Sequence, residues 1–156
     1  CTSAPSQSVG GSAFLSGLSN GRARLDMSST TTGSSTLVVF LNPNGQVGGI
    51  ATNGSATAYN TSSDARLKDV SGEAKGLEVI NALNPVAFNW KADNTEDEGL
   101  LAQEVEEIVP NAVSQGEDEY YQMDYSKLVT PLIKAVQEQQ EQIEELKQQI
   151  NELRGN

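Results

Sequence analysis

Counted in sevens from Tyr125, apolar side chains recur at two positions of the heptad as far as Leu153, with one polar exception. Val129, Val136, Ile143 and Ile150 fall at position a; Tyr125, Leu132, Leu146 and Leu153 fall at d, with Gln139 as a polar layer among them. A repeat of this period keeps one narrow seam on the same side of a helix, and that seam is satisfied by another helix laid along it. About four heptads of it predict a coiled coil over residues 125–156. Leu128, Ile133 and Ala135 widen the stripe at its beginning, so that end also packs on the chain's own globular part. Pro131 lies inside the pattern and either kinks the helix or marks its true start, with Thr130 as cap. Ile or Val at a with Leu at d leans toward a dimer, and Gln139 fixes register. The competing arrangement is a lone amphipathic helix folded back on its own domain, but the stripe outruns a domain this small.

The rest of the chain divides by charge. Residues 1–62 contain three charged side chains, Arg22, Arg24 and Asp26, in a background of Ser, Thr, Asn, Ala and Gly; the remainder of the 31 follow Ser62. The shift marks a boundary at Ser62/Ser63. In the first part, Leu37–Leu41 is a β-branched and aromatic run, Asn42-Pro43-Asn44-Gly45 a turn, and Val47 to Ile50 a returning strand. "GRARLDM" also alternates as a strand, with Ala23 and Leu25 flanked by charges. Short strands of small residues bury little area in one chain and more when several chains wrap together, so this part reads as an intertwined β-rich fibre segment. A flexible Ser/Gly-rich linker is the alternative.

Residues 63–124 read as a small globular α/β domain. The pattern predicts a helix over 75–83, with Leu77, Ile80 and Leu83 on one face and Asn84-Pro85 as its stop. A half-buried strand through Val86, Phe88 and Trp90 comes next, then an acidic loop in "KADNTEDEG". A short apolar strand at Leu100–Leu101 leads into a helix over 102–109, ended by Pro110. Another strand in "EYYQMD" precedes a helix start capped by Asp124. The fold class expected is thus α+β: a fibre segment, a small globular domain and a long C-terminal helix.

Composition excludes several functions. A net charge of -11 makes nucleic acid and anionic membrane poor partners, and no stretch approaches the length of a transmembrane helix. Neither a signal peptide nor an initiator Met is present, so the sequence reads as an excised or processed fragment of something longer. Cys1, the lone cysteine, supports no internal disulfide, and without histidine it makes no convincing metal site; no metal or cofactor is expected. The absence of histidine also removes the commonest general base and with it any Ser-His-Asp triad. For nucleophilic chemistry there remains serine with lysine.

Ser63 and Lys68 stand five positions apart at the charge boundary, with Asp64 and Arg66 between them. Lysine acts as a base only when its amine is neutral. An ordinary lysine titrates near about 10.4, so burial or a nearby cation has to favour the neutral form. Residues at this spacing face opposite sides of a strand and lie about 140° apart on a helix. Ser63 and Lys68 therefore meet only if the chain turns between them or if the lysine comes from a neighbouring subunit. By itself the pair is what any polar surface turn offers.

Four motifs in order add to this: "SSDARLKDV", "INALNPVAFNWK", "GLLAQEVEEIVPNAV" and "MDYSKLVTPLIKAVQEQQEQIEELK". Together they resemble the S74 peptidase family, the C-terminal intramolecular chaperone domains of phage tail fibres, tailspikes and neck appendages, which also includes the autocleaving segment of myelin regulatory factor. The resemblance covers residues 63–156, and "NPNGQVGGIATNGSATAYNTSSD" ahead of it is similar to fibre-stem sequence. It implies a homotrimer, placed above the dimer of the heptad rule. It implies a folding client in the upstream fibre segment of the same chain, and single-turnover autoproteolysis between Ser62 and Ser63, with Ser63 as nucleophile and Lys68 as base. Assembly would take place in the host cytoplasm, the mature fibre would stay on the virion tail, and the fragment from Ser63 would be released. Asp64 would orient Lys68 or cap the next turn, Arg66 is a nearby cation, and Gln103 and Glu104 would line the site or stand as exposed helix residues. The hydroxyl would attack its own preceding carbonyl, or that of a neighbouring chain. Other readings of the same residues are a non-catalytic trimerisation tip and a receptor-binding fibre tip.

Overall fold

A computed structural model of the chain describes residues 13–15, 24–27, 29–117 and 119–155. Cys1, Arg22 and Ala23, singled out above, lie outside them. The fold is α+β and divides into two compact units, Cys1–Val70 and Ser71–Asn156, so the Ser62–Ser63 bond lies within the first.

The first unit is built of antiparallel strands. β1 (Ala13–Leu15) pairs with β2 (Arg24–Asp26), the strand expected in "GRARLDM". β3 (Ser35–Asn42), β4 (Gly45–Asn53) and β5 (Ala56–Thr61) form a three-stranded meander with β4 in the middle. The β-branched run Thr36–Val39 lies in β3, as its propensity dictates. The first hairpin turns because the Asn42 side chain accepts the Asn44 N–H at 2.9 Å and Gly45 takes φ +100°, a conformation that penalises any Cβ. The second turn is the two-residue Gly54–Ser55. Strand β5 was not anticipated; its alternation of Ala and polar residues carries little hydrophobic signal, although Asn53-Gly54 is a strong hairpin signature. Ala51 is buried, whereas Val39, Phe40, Leu41 and Tyr59 are exposed. A sheet of this size ordinarily needs an apolar cover to be stable.

The second unit holds α1 (Leu77–Ala82), the hairpin β6 (Val86–Asn89) with β7 (Glu96–Gly99), α2 (Ala102–Ile108), the pair β8 (Val113–Gln115) with β9 (Tyr121–Met123), and α3 (Val129–Arg154). Its core is Val105, Ala112 and Leu128, with Leu83, Leu100, Val109, Val113 and Met123 packed around them. A second contact joins α1 to α3 through buried Val79 and Ala135. Here Glu138 of α3 reaches across to α1 and accepts the Leu77 N–H at 2.7 Å. A carboxylate on an otherwise orphan N–H stabilises a helix start, and α1 has no cap of its own, because Gly76 precedes it.

Gly76 is required by that approach. A Cβ there would stand 2.7 Å from the Ala135 nitrogen and 2.5 Å from the Glu138 carboxylate. Gly76→Ala is therefore expected to push α1 off α3 and cost about 1–3 kcal/mol. Denaturant unfolding of the second unit would show it, and an unchanged midpoint would contradict the packing described.

Several sequence expectations are corrected. The acidic loop contains a strand: Glu96–Gly99 pairs residue for residue with Val86–Asn89, and Asn94 at φ 60° makes the turn. Backbone pairing overrides composition here, because the acidic side chains all point into solvent. Leu100 and Leu101 form no strand; Leu101 is the extended residue that opens α2, and Leu100 packs on the core. The helix expected over 75–83 is shorter, and its most buried residue is Val79 rather than Leu77, Ile80 or Leu83. Trp90 lies beyond β6, half out in solvent, and meets Phe88 edge-on at 5.2 Å. Asp124 does cap, accepting the Ser126 N–H at 3.0 Å, but what it opens is the 3-10 turn Tyr125–Leu128. The α-helix proper begins at Val129, so Thr130 is not its cap, and Tyr125 lies outside it. Pro131 occupies the first turn, where its missing N–H has no intrahelical partner to lose.

Helix α3 has 26 residues and is about 39 Å long. Its early part is held by its own chain, through Ala135, through Glu138 and through Lys134, which pairs with Glu73 at 2.8 Å. Beyond that, Ile143, Leu146, Ile150 and Leu153 are all exposed, Leu153 at 78%.

Candidate active site

The site grows out of the end of β5. Ser62 continues the sheet by one residue: its N–H donates to the Val47 carbonyl at 3.0 Å, and its hydroxyl donates to the Gln46 carbonyl at 3.2 Å. The chain then leaves the ladder and winds into a 3-10 turn, Ala65–Leu67. Asp64 sets that turn. Its carboxylate accepts the Arg66 N–H at 2.8 Å, and Leu67 N–H donates to the Asp64 carbonyl at 3.1 Å. Such an Asx arrangement is a local choice of the sequence, made by an aspartate two residues ahead of a free N–H. Lys68 returns to extended backbone at φ -133°, ψ 130°.

This turn brings together the two residues that a regular strand or helix keeps apart. The Lys68 amine donates to Ser63 Oγ at 2.8 Å, within one chain. Two adjacent serines, indistinguishable by type, are thereby sorted: the Ser62 hydroxyl is committed to a backbone carbonyl, and the Ser63 hydroxyl faces an amine. Ser63, Asp64, Arg66 and Lys68 are all exposed.

Asp64 and Arg66 serve each other. The guanidinium binds both carboxylate oxygens, the shortest contact being Nη2 to Oδ2 at 2.6 Å. The Arg66 side chain first, and its backbone N–H second, hold the Asp64 carboxyl below its usual range, and Asp64 raises Arg66 in turn. A carboxyl depressed in this way supports the turn at every pH above its unfolded value and loses that support as pH falls through its lower folded value. The turn is therefore fully supported at neutral pH. Carbon-detected NMR titration should place the Asp64 midpoint below the ordinary aspartate range, and Arg66→Gln should raise it toward that range; an unmoved midpoint would refute the pairing. Of the two roles open to Asp64, the observed bonds belong to the turn.

Gln103 and Glu104 lie in the first turn of α2, in the second unit, and both are exposed; Glu104 accepts from the Asn84 side chain at 3.2 Å. The residues that sequence reasoning missed are Gln46 and Val47, which tie down Ser62. Their signal was the hairpin register: once Asn53-Gly54 is taken as a turn, Thr61 pairs with Gly48 and the next residue falls opposite Val47. An open polar hollow of about 230 Å³, lined by Thr36, Gln46, Asn60 and Ser62 among others, adjoins the Ser62 side of the bond. Among the described residues, no group of three or more His, Cys, Asp or Glu could hold a metal ion, and no helix is long and apolar enough to cross a membrane.

These features place the chain among small α+β modules that hold a serine and a lysine in hydrogen-bond contact. Comparison with protein families narrows the class: residues 63–114 match the model of Peptidase S74, described as chaperone of endosialidase. The match begins at Ser63 itself, includes Lys68, Gln103 and Glu104, and leaves α3 outside it. At the level of the family it supports a serine-peptidase-like domain with a chaperone role in fibre assembly. No curated protein matches the chain.

Proposed function

We propose that the chain is an intramolecular chaperone that trimerises a β-rich fibre segment and then releases itself by cutting the Ser62–Ser63 bond. The observation that carries this reading is the 2.8 Å contact between the Lys68 amine and Ser63 Oγ, on the residue directly following a serine fixed to β4.

The chemistry follows from that placement. With the Lys68 amine neutral, the direction of the hydrogen bond reverses and the Ser63 hydroxyl donates its proton along the same line. Oγ attacks the carbonyl carbon of Ser62, and the tetrahedral intermediate collapses with cleavage of the Ser62–Ser63 C–N bond. The protonated lysine returns its proton to the departing Ser63 nitrogen, leaving Ser62 joined to Ser63 Oγ as an ester. Water, reaching the ester through the hollow beside Ser62, then hydrolyses it. Ser62 becomes a carboxylate and the Ser63 hydroxyl is regenerated. The contact within one chain favours this N-to-O shift over attack by a neighbouring chain's serine.

Three fibre segments with non-local strand pairings fold slowly and misregister easily. Association through α3 raises the local concentration of the three ends. Cutting afterwards makes assembly one-way, because a fibre without its chaperone persists kinetically. The fibre segment is thus the client, the partners are two further copies of the chain, and the mature product belongs to a virion tail. Intact-mass measurement with N-terminal sequencing of the purified protein tests the reading. The expected fragments are 1–62 and 63–156, the second beginning Ser-Asp-Ala-Arg; an assembled chain that stays whole is a scaffold and not a peptidase.

A further inference from the structure

Strand β4 carries two adjacent buried glycines near its middle, Gly48 and Gly49, where a strand ordinarily gains from a side chain. Neither lies in the left-handed region, so backbone conformation does not call for them. Close approach of neighbouring backbone does. A Cβ on Gly48 would stand 2.7 Å from the Asn60 carbonyl oxygen in β5, and a Cβ on Gly49 would stand 2.5 Å from the Val38 carbonyl oxygen in β3. Both distances are well inside van der Waals contact. A strand carbonyl cannot swing aside as the tip of a long side chain can. A methyl at either position therefore pushes a strand away, and the two positions push different strands.

The strand that Gly48 admits is the one that ends at the candidate bond. Gly48 pairs with Thr61, and the next residue, Ser62, is bonded to the Val47 and Gln46 carbonyls. Gln46, Val47 and Gly48 are consecutive, so the tight approach at Gly48 adjoins both bonds on Ser62. The Ser63–Lys68 contact places the attacking oxygen. The carbonyl carbon under attack belongs to Ser62, and β4 holds that residue, not the turn. Attack needs both atoms in place, and a misplacement of about 1 Å costs about a hundredfold in rate.

Resting on the cut proposed above, we propose that Gly48 is a positioning residue for it: by letting the Asn60 carbonyl lie against β4, it seats Ser62 and so holds the carbonyl carbon in place for Ser63 Oγ. Gly48 touches no reacting atom and acts through Ser62. Gly49 meets the same steric demand on the β3 side, away from the bond, and serves the sheet alone. The two neighbours thus form a matched pair, alike in what they cost the sheet and unlike in what they do for the chemistry.

The test compares Gly48→Ala with Gly49→Ala in the full chain, each made also in a Ser63→Ala background that the proposed chemistry leaves uncut. Gels follow the appearance of fragments across a range of pH. Denaturant unfolding and residue-resolved hydrogen exchange are read on the uncut chains. Both glycine variants should lower the unfolding midpoint. Only Gly48→Ala should slow cutting, by about a hundredfold and by the same factor at every pH, with the Ser62 amide losing its protection from exchange. Gly49→Ala should cut at close to the wild-type rate and keep Ser62 protected. Equal slowing of both variants, in step with lost stability, is a merely structural effect and overturns the proposal, as does wild-type cutting by Gly48→Ala. If Gly48→Ala does not fold, exchange in the Ser63→Ala chain with both glycines intact decides. A Ser62 amide as protected as the β4–β5 ladder supports the seat, and one exchanging like a free peptide overturns it. Wild type that never cuts, whatever the exchange shows, removes the proposed function and this role with it.

Discussion

On the proposed reading, Ser63→Ala is expected to leave the chain whole under conditions in which wild type is cut, and Lys68→Met to slow cutting by about two to four orders of magnitude, the usual range for loss of a positioned base. The two substitutions differ for a reason visible in the geometry. Without Ser63 no oxygen remains where the Lys68 amine points, and Ser62 is no substitute, because its hydroxyl is held by the Gln46 carbonyl. Without Lys68 the hydroxyl persists and solvent hydroxide takes over, so residual cutting should climb with pH. Mass spectrometry of the two variants after equal incubation separates these outcomes. Cutting of Ser63→Ala at the same bond would show that Ser63 is not the nucleophile.

Ile143→Asp combined with Ile150→Asp is the second large effect. Each wild-type isoleucine is about half exposed in one chain, so covering the rest contributes about 0.7–1.5 kcal/mol. Two such losses in each of three helices would remove roughly 5–9 kcal/mol from a trimer, before the cost of enclosing carboxylates. Sedimentation velocity should find monomers at concentrations where wild type forms the proposed trimer, and the proposed cutting should fall with assembly. Gln148→Glu, off the heptad seam, should change neither. Full-speed cutting by the monomers would uncouple the chemistry from association. The substitutions should leave the second unit folded, because its core at Val105, Ala112 and Leu128 and the α1 contact at Ala135 lie elsewhere.

What could be read from the residues was whatever depended on neighbours in sequence. The α3 stripe, the Asn42–Gly45 turn and the Asp124 cap are local signals, and each has a counterpart in the structure. Strand β7 was not legible because its side chains say loop; only its partner β6, met through six intervening residues, makes it a strand. The cap on α1 comes from Glu138, 61 residues away, and no local pattern could supply it. The candidate site stood between these cases. The sequence posed Ser63 and Lys68 as a pair that required a turn, and Asp64 two residues before the Arg66 N–H was the available turn signal. Which of the two serines met the lysine depended on β5, whose small polar residues hid the strand that fixes Ser62.

That anchoring of Ser62 bears on what the finished fibre looks like at its end. Under the proposed cut, Ser62 would become the new C-terminus with its amide and its hydroxyl both already engaged by Val47 and Gln46. Scission would thus leave a hemmed edge and not a dangling thread, and exopeptidases, which need several slack residues to begin nibbling, would find none there.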